Sequence, residues 1–490
     1  MKALLVTLPP LEPFYPPPIL GILAACCTKC DVEYEICDCN LYMYDTFELN
    51  DVIELSNDLK DSKLSSHKNI DQICQYLNSK IRSYQPDYLC ISVFSYQQQF
   101  AAEYFLQKIN LTNSKCKIII GGSGVGTPYK SYDNFGAYCL QKNYIDYCIY
   151  GDGENAFMQL LLGNSNYPGI NNKNFLQITD LDSLPAPEYT KINPKDYHYA
   201  FEPELIVSGS RGCVRDCSFC NVKDIWNKFV YKSGDKIAEE IFHLYTTTGI
   251  SNFTFSDSLI NGSIKTFRQF NKKLIEYKSQ NPNFNPKYKG QFICRPVGQM
   301  KESDYDEMSR AGVDTLVVGI ESFSNSVRNH MRKHFDNSAI DNHLLLCAKY
   351  GIRNVFLLLT GYVTETYDDH HENLNYLKKY QVYALSDIIS NIGFNIGGLH
   401  LIPNSGVPLN KLEQDLNIVY HETDFGDQDW ISLNNPTLTQ KERYRRSAEV
   451  LLTAVELGYK VMYMDSNLNK LERFYSTINV KQHKKIPITY

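Results

Sequence analysis

The stretch SGSRGCVRDCSFCNV, residues 208–222, directly follows the apolar run Leu205–Val207 and decides how the rest of the chain is read. Cys213, Cys217 and Cys220 stand at C-x3-C-x2-C spacing on one short loop. Gly212 and the charges of Arg211, Arg215 and Asp216 mark an exposed loop rather than a core strand, which argues against three buried structural thiols. Three clustered thiolates can hold three corners of an iron–sulfur cluster and leave one iron open. A structural zinc wants four ligands, so a zinc reading needs a distant His or Cys as well. On spacing alone both stay open.

Outward from this loop, apolar strands alternate with helical patterns. Strands are expected at Leu205–Ser208, Asn252–Ser256, Lys289–Cys294, Thr315–Ile320, Asn354–Leu359 and Ser390–Leu401. Helices are expected at Lys236–Thr247, Ile264–Gln280, Glu302–Ala311, Ser324–Arg332, Ser338–Tyr350 and Tyr367–Tyr380. Six such units predict a partial (β/α)6 TIM-type barrel. Before it, apolar strands at Ala3–Leu8, Val32–Asp38, Tyr88–Phe94, Lys117–Ile120 and Ile145–Tyr150 alternate with helices at Ile19–Lys29, Asp71–Tyr84 and Phe100–Ile109. This predicts a Rossmann-like, doubly wound parallel sheet. Asp45–Asn69 is polar with little period and reads as an insertion or long loop. The fold class is therefore α/β: a Rossmann-like domain over 1–165, a linker over 166–200, a partial barrel over 201–403 and a mainly helical extension over 404–490, expected to cap the substrate region. In that extension the helix Thr439–Leu457 stands out.

Composition narrows the function classes. The chain has 490 residues, 43% of them hydrophobic, and a net charge of −6, so it buries cores and is no dedicated binder of nucleic acid or anionic membrane. No run approaches the ~20 apolar residues of a membrane span, and the N-terminus lacks a signal-peptide pattern. Fifteen cysteines without that pattern imply a reducing, cytoplasmic setting. Cys26, Cys27 and Cys30 fall on one helix face and Cys37 and Cys39 at a strand end, where small buried residues fit. His370-His371 sits in a polar helix start and reads as solvated.

The loop, with aromatic Phe219 before its last cysteine, resembles the signature of the radical S-adenosylmethionine (SAM) superfamily. The likeness continues at successive strand ends: FSDSL (255–259), Arg295, GIES (319–322) and TGYVTET (360–366), the last with Val363 where Pro is usual. It covers roughly Leu205–Pro403. The resemblance implies that Cys213, Cys217 and Cys220 bind a [4Fe–4S] cluster whose open iron chelates SAM. The reduced cluster then cleaves SAM to a 5′-deoxyadenosyl radical. It implies SAM contacts at Phe219, Arg295, Glu321, Ser322, Gly361 and Glu365, and catalytic or substrate-facing roles for Asp257 and Cys294. A buried ion pair between Glu321 and Arg295 is the structural alternative.

A doubly wound domain ahead of such a barrel is similar to the class with an N-terminal cobalamin-binding domain. The matching segments are PPPILGILAA (16–25), ISVFSYQ (91–97), IIIGGSGVG (118–126), GDGENAF (151–157) and LPAPEY (184–189). They imply cobalamin contacts at Ser92, Gly121, Gly122, Gly124, Gly151 and Glu154. The Asp-x-His-x-x-Gly motif for a lower axial histidine is absent from residues 1–160, where His67 is the only histidine. The resemblance thus implies a cobalamin-dependent C-methyltransferase. Alternatives are a radical enzyme without cobalamin doing rearrangement, cyclisation or epimerisation, and a non-catalytic iron–sulfur sensor or electron carrier. Expected partners are a small-molecule or peptide substrate and an electron donor such as flavodoxin or ferredoxin, with no membrane and no nucleic acid.

Overall fold

The computed structural model describes residues 1–60, 68–111, 115–198, 202–394, 397–399, 409–422 and 428–463. The chain forms two compact units, Met1–Val207 with Glu239–Phe253, and Ser208–Ala238 with Thr254–Tyr490.

In the first unit the elements run β1 (Lys2–Thr7), α1 (Pro18–Lys29), β2 (Glu33–Asp38), α2 (Cys39–Thr46), α3 (Leu49–Lys60), α4 (Lys68–Tyr84), β3 (Tyr88–Ser92), α5 (Gln99–Lys108), β4 (Lys117–Gly121), α6 (Phe135–Gln141), β5 (Tyr147–Ile149) and α7 (Gly153–Leu161). The sheet order is β2-β1-β3-β4-β5, and every neighbouring pair is parallel. Alternate residues feed two separate cores: Leu4, Val6, Leu89, Ile91, Ile118 and Ile120 on one face, Ala3, Leu5, Cys90 and Ile119 on the other. That is why these strands read as continuous apolar runs. Cys26 and Cys27 are buried in the second core, and Cys37, Cys39 and Cys74 in the first.

The loop expected at Asp45–Asn69 is overturned by α3, whose Val52, Leu55 and Leu59 are buried. Their i, i+3, i+7 spacing makes a narrow apolar stripe that the surrounding polar residues mask. His67 lies outside the described residues.

A second sheet has seven strands in the order β16-β13-β12-β11-β10-β9-β6. After β6 (Glu204–Val207) come the short strands β7 (Ser210–Arg211) and β8 (Val230–Tyr231), separated by α8 (Val222–Ile225) and followed by α9 (Gly234–Thr248). Then β9 (Asn252–Phe255), α10 (Ile264–Gln280), β10 (Lys287–Phe292), α11 (Glu302–Ala311), β11 (Val313–Glu321), α12 (Asn325–His330), α13 (Asn337–Tyr350), β12 (Arg353–Leu358), α14 (Tyr367–Leu385) and β13 (Ile389–Phe394) complete the expected six strands. The β10–β11, β11–β12, β12–β13 and β13–β16 pairs are parallel.

Beyond them stand α15 (Leu409–Leu416), the antiparallel hairpin β14 (Ile418–Glu422) with β15 (Gln428–Ser432), α16 (Gln440–Glu456) and β16 (Val461–Tyr463). The last adds a seventh strand to the six read from the sequence. The expected strand end at Leu401 and the boundary at Pro403 lie outside the described residues. No helix among the described residues is long and apolar enough to cross a membrane.

Candidate functional site

The cysteine loop is fastened at its base. β7 pairs with β8, the Lys232 amide donates to the Gly209 carbonyl at 2.8 Å, and Asp257 closes the arrangement. Asp257 accepts the Gly209 amide on Oδ2 at 2.8 Å and the Ser210 hydroxyl on Oδ1. It is 4% exposed and borders a cavity lined by Phe229, Phe255, Phe267 and Phe270. Burial pushes its pKa up to about 6 against the pull of those two hydrogen bonds and Lys232. Asp257 therefore fixes the first turn of the loop with both oxygens committed.

Because the folded pKa is raised, the Asp257 contribution to stability is fully present below about pH 4 and is lost as pH rises through about 6. A displacement of that size corresponds to about 3 kcal/mol. Thermal unfolding of Asp257→Asn and the parent, compared across that range, should move in favour of the variant as pH rises. A constant difference would show that this carboxyl does not titrate there.

Cys217 is buried, while Cys213 and Cys220 are half-buried. Burial raises the Cys213 and Cys217 thiols, and Lys333 opposes that rise at both. The Arg215 amide also donates to Cys213 Sγ at 3.4 Å. The Ser218 amide donates to the Met331 carbonyl at 3.3 Å, and the Ser218 hydroxyl to the His330 carbonyl at 3.2 Å. Phe219 lies 6.3 Å from the Tyr362 ring, edge-on.

Among the described residues, no three His, Cys, Asp or Glu side chains gather tightly enough to hold one metal ion. A tetrahedral zinc with ~2.3 Å bonds would draw its thiolates to about 3.8 Å from each other. A four-iron cluster spreads its ligands over a wider face. The loop's donor set, one buried and two half-buried thiols on one short turn, fits the cluster.

Glu321 ends β11 with a left-handed φ of 62°, at a break in register with β12. Its Oε1 accepts from Lys333 Nζ at 2.9 Å. Gly319 makes room for this pair, since a Cβ there would stand 2.6 Å from Glu321 Oε1 and 3.0 Å from Lys333 Nζ. The cation beside Glu321 is thus Lys333, and the alternative pairing with Arg295 is not formed. Arg295 Nη2 instead donates to the carbonyls of Asn261 and, at 2.8 Å, of Gly262. Its Nε is buried without a partner. Burial and the nearby Arg215 lower its pKa, and Cys213 opposes them. One edge of the guanidinium is anchored beside the cysteine loop while Nε keeps an unused donor.

Three other expected site residues are turned into the protein. Ser322, Glu365 and Cys294 are each 0% exposed. Ser322 donates to Asn373 Oδ1 at 3.1 Å. Glu365 accepts from the Gly361 amide at 3.1 Å and from Arg446 Nη1 at 3.0 Å. The Cys294 thiol is pushed up to about 12 by burial, which suits a packed, inert sulfur rather than a catalytic one. Gly361 faces α16, where a Cβ would stand 2.8 Å from Arg443 Cγ. Being next to a motif residue in sequence did not decide which side of the chain each one faced.

His370 corrects a further expectation. It is fully buried, with Nε2 3.1 Å from Glu449 Oε2, because α16 covers the start of α14. Sequence reasoning also missed Lys333, which sits in the basic turn MRKHF and passes for a charged helix end. It missed the buried Arg443 and Arg446 of α16 as well.

In the first unit, register sets Ser92 opposite Gly121, and Gly121 opposite Ile149. The residues expected to face cobalamin therefore follow one another along a single end of the sheet. Gly122 has φ 106°, and a Cβ there would stand 2.4 Å from the Val93 carbonyl oxygen. Gly124 donates its amide to that same oxygen at 3.0 Å. The loops after β3 and β4 so pack backbone against backbone. Gly151 lies against the Phe175 ring, and Glu154 is buried in the first turn of α7. The strand order places the topological switch point between β1 and β3, where open parallel sheets take ligands.

Residues 207–377 match the Radical SAM superfamily. This stretch of the chain is similar to a radical SAM domain. That superfamily implies a [4Fe–4S] cluster and SAM, which supports an enzyme over an electron carrier. An anaerobic magnesium-protoporphyrin IX monomethyl ester cyclase of Synechocystis sp. is 22% identical over 261 residues, 50% of this chain and 50% of that protein. An uncharacterized methyltransferase of Pyrococcus horikoshii is 23% identical over 42% of this chain and 43% of its own length. The match thus spans half or less of these curated relatives.

The fold is shared with two solved structures. TsrM from Kitasatospora setae, a radical SAM methyltransferase solved with cobalamin and a [4Fe–4S] cluster, superposes with a TM-score of 0.62, covering 98% of this chain and 99% of that one at 13% identity. The cobalamin-dependent radical SAM enzyme OxsB gives 0.61 over 98% of this chain and 70% of its own, at 14% identity.

Proposed function

We propose that the chain is a cobalamin-dependent radical SAM methyltransferase acting on an unactivated carbon of a small-molecule or peptide substrate. The observation that carries this reading is a 2-1-3-4-5 parallel sheet preceding a three-cysteine strand-end loop in one chain. When bound, the cluster and SAM supply a 5′-deoxyadenosyl radical, and cobalamin supplies a methyl group that a second SAM replaces. Cys213, Cys217 and Cys220 would hold three irons, with Asp257 keeping their loop in place. The unpartnered Nε of Arg295 would take the methionine carboxylate of SAM. Phe219, against Tyr362, would shield the site from water. The backbone at Ser92, Gly121, Gly122 and Gly124 would face cobalamin at the carboxyl end of the first sheet. Flavodoxin or ferredoxin would supply the electron.

The test is anaerobic purification, addition of cobalamin and desalting. Stoichiometric cobalamin should be retained, and the Co(II) form should show no nitrogen splitting from a lower ligand, because the histidine motif is missing. Isotope from methyl-labelled SAM should then reach cobalamin. Failure to retain cobalamin would move the reading to a radical enzyme of rearrangement, cyclisation or epimerisation, the direction in which the cyclase relative points. Nitrogen splitting would overturn the absence of a protein ligand instead.

A further inference from the structure

The turn Met331–Phe335 is bent by two left-handed residues that are not glycine, Arg332 at φ 59° and His334 at φ 55°. Side-chain-bearing residues adopt that conformation reluctantly. The turn is seated on the cysteine loop: Met331 and the preceding His330 accept from Ser218, and Arg332 and His334 each stand 3.7 Å from Asp216. The residue between the two bends, Lys333, is directed inward and is 6% exposed. Its ammonium lies 2.9 Å from Glu321 Oε1 and 5.8 Å above the Phe219 ring, between Cys217 and Cys220 in sequence. Three left-handed residues, Glu321, Arg332 and His334, thus go into placing one charge.

One carboxylate does not account for this placement. Burial works to lower the Lys333 pKa, and Glu321 together with the Cys217 and Cys220 thiols outweighs it. The ring under the ammonium, Phe219, directly precedes Cys220, and Ser218 before it is bonded to the backbone of His330 and Met331, so the turn brings this charge against the cysteine loop itself.

We propose that Lys333 is the counter-cation of the iron–sulfur site formed by Cys213, Cys217 and Cys220, held there by Glu321 and Phe219 so that its charge stabilises the reduced cluster. This rests on those cysteines holding the cluster. A reduced cluster carries one more negative charge, so a fixed cation beside it raises the reduction potential.

The experiment uses the full chain, reconstituted anaerobically with iron and sulfide, as parent, K333M, K333R and the double variant E321Q/K333M. Iron content, apo-protein melting and the midpoint potential by redox titration are measured. K333M should hold the cluster at a more negative potential, with a reduced-to-oxidised ratio about tenfold lower at the same poise, equivalent to ~59 mV for one electron. K333R should keep the parental potential. E321Q/K333M should recover melting temperature but stay below the parental potential, because the cation is still missing. A double variant back at the parental potential would reduce Lys333 to a neutraliser of Glu321 and overturn the proposal. So would K333M at the parental potential. A parent that binds no [4Fe–4S] cluster would overturn the metal assignment itself, and this role with it.

Discussion

Replacing Cys213, Cys217 and Cys220 together by Ala is expected to abolish cluster iron and reductive SAM cleavage while leaving the apo-protein folded. The loop does not depend on its thiols for its shape. Asp257 holds Gly209 and Ser210, β7 pairs with β8, and Ser218 donates to His330 at the end of α12 and to Met331 after it. Only Cys217 is buried, so trimming three sulfurs removes little packed surface, roughly 1 kcal/mol per site at most. The loss of function, in contrast, should be complete, since no other group of donors among the described residues can replace the three. Iron and sulfide content, apo-protein melting, and 5′-deoxyadenosine formation with a chemical reductant give the three readouts. Stoichiometric zinc with no iron after anaerobic reconstitution of the parent would sink the assignment and return the loop to the zinc reading.

Much of the fold was legible because both sheets are built from parallel strands covered on two faces. Such strands show as unbroken apolar runs, and the helices Ile264–Gln280 and Glu302–Ala311 have the bounds expected from the sequence. The helix Leu49–Lys60 was not, because three buried residues amid polar neighbours give a weak signal. At the site, the order of motifs along the strand ends was legible, and so was the loop that gathers the three cysteines. Side-chain direction was not. Ser322, Cys294 and Glu365 sit in or beside motifs yet face inward, since neighbouring residues near a strand end point to opposite sides. Lys333 was hidden for the converse reason. A lysine between Arg332 and His334 looks solvated until the two left-handed neighbours turn it in.

The same blindness concealed how α16 serves the fifth strand-end loop, and this sets the second large effect. Arg446 is 4% exposed and Glu365 fully buried. Nη1 of Arg446 reaches Glu365 Oε1 at 3.0 Å, the Glu365 carbonyl at 2.8 Å and the Thr366 carbonyl at 3.0 Å, while Nε reaches Glu442 at 2.9 Å. The loop after β12 is thus tied to a helix some eighty residues later in the chain by this guanidinium, beside Asn435, which donates to the Glu365 carbonyl at 2.9 Å. Arg446→Met should leave the buried Glu365 carboxylate without its cation and the Thr366 carbonyl without this donor, at about 3–5 kcal/mol of stability.

The deficit should also depend on pH. Burial raises Glu365 to about 7, with Arg446 the chief opposing charge. A carboxyl raised in the folded state contributes stability below its unfolded pKa and loses it as pH rises through the folded one. Without Arg446 the folded pKa climbs further, so the penalty should widen from about pH 5.5 to about pH 8. Arg446→Met with Glu365→Gln should recover part of the loss and most of the pH dependence, since no charge is left unpaired. Denaturant melts of the parent, both single variants and the double variant at the two pH values close the cycle. An Arg446→Met protein that melts like the parent at both would show that the strand-end loop holds itself, and that α16 merely lies against it.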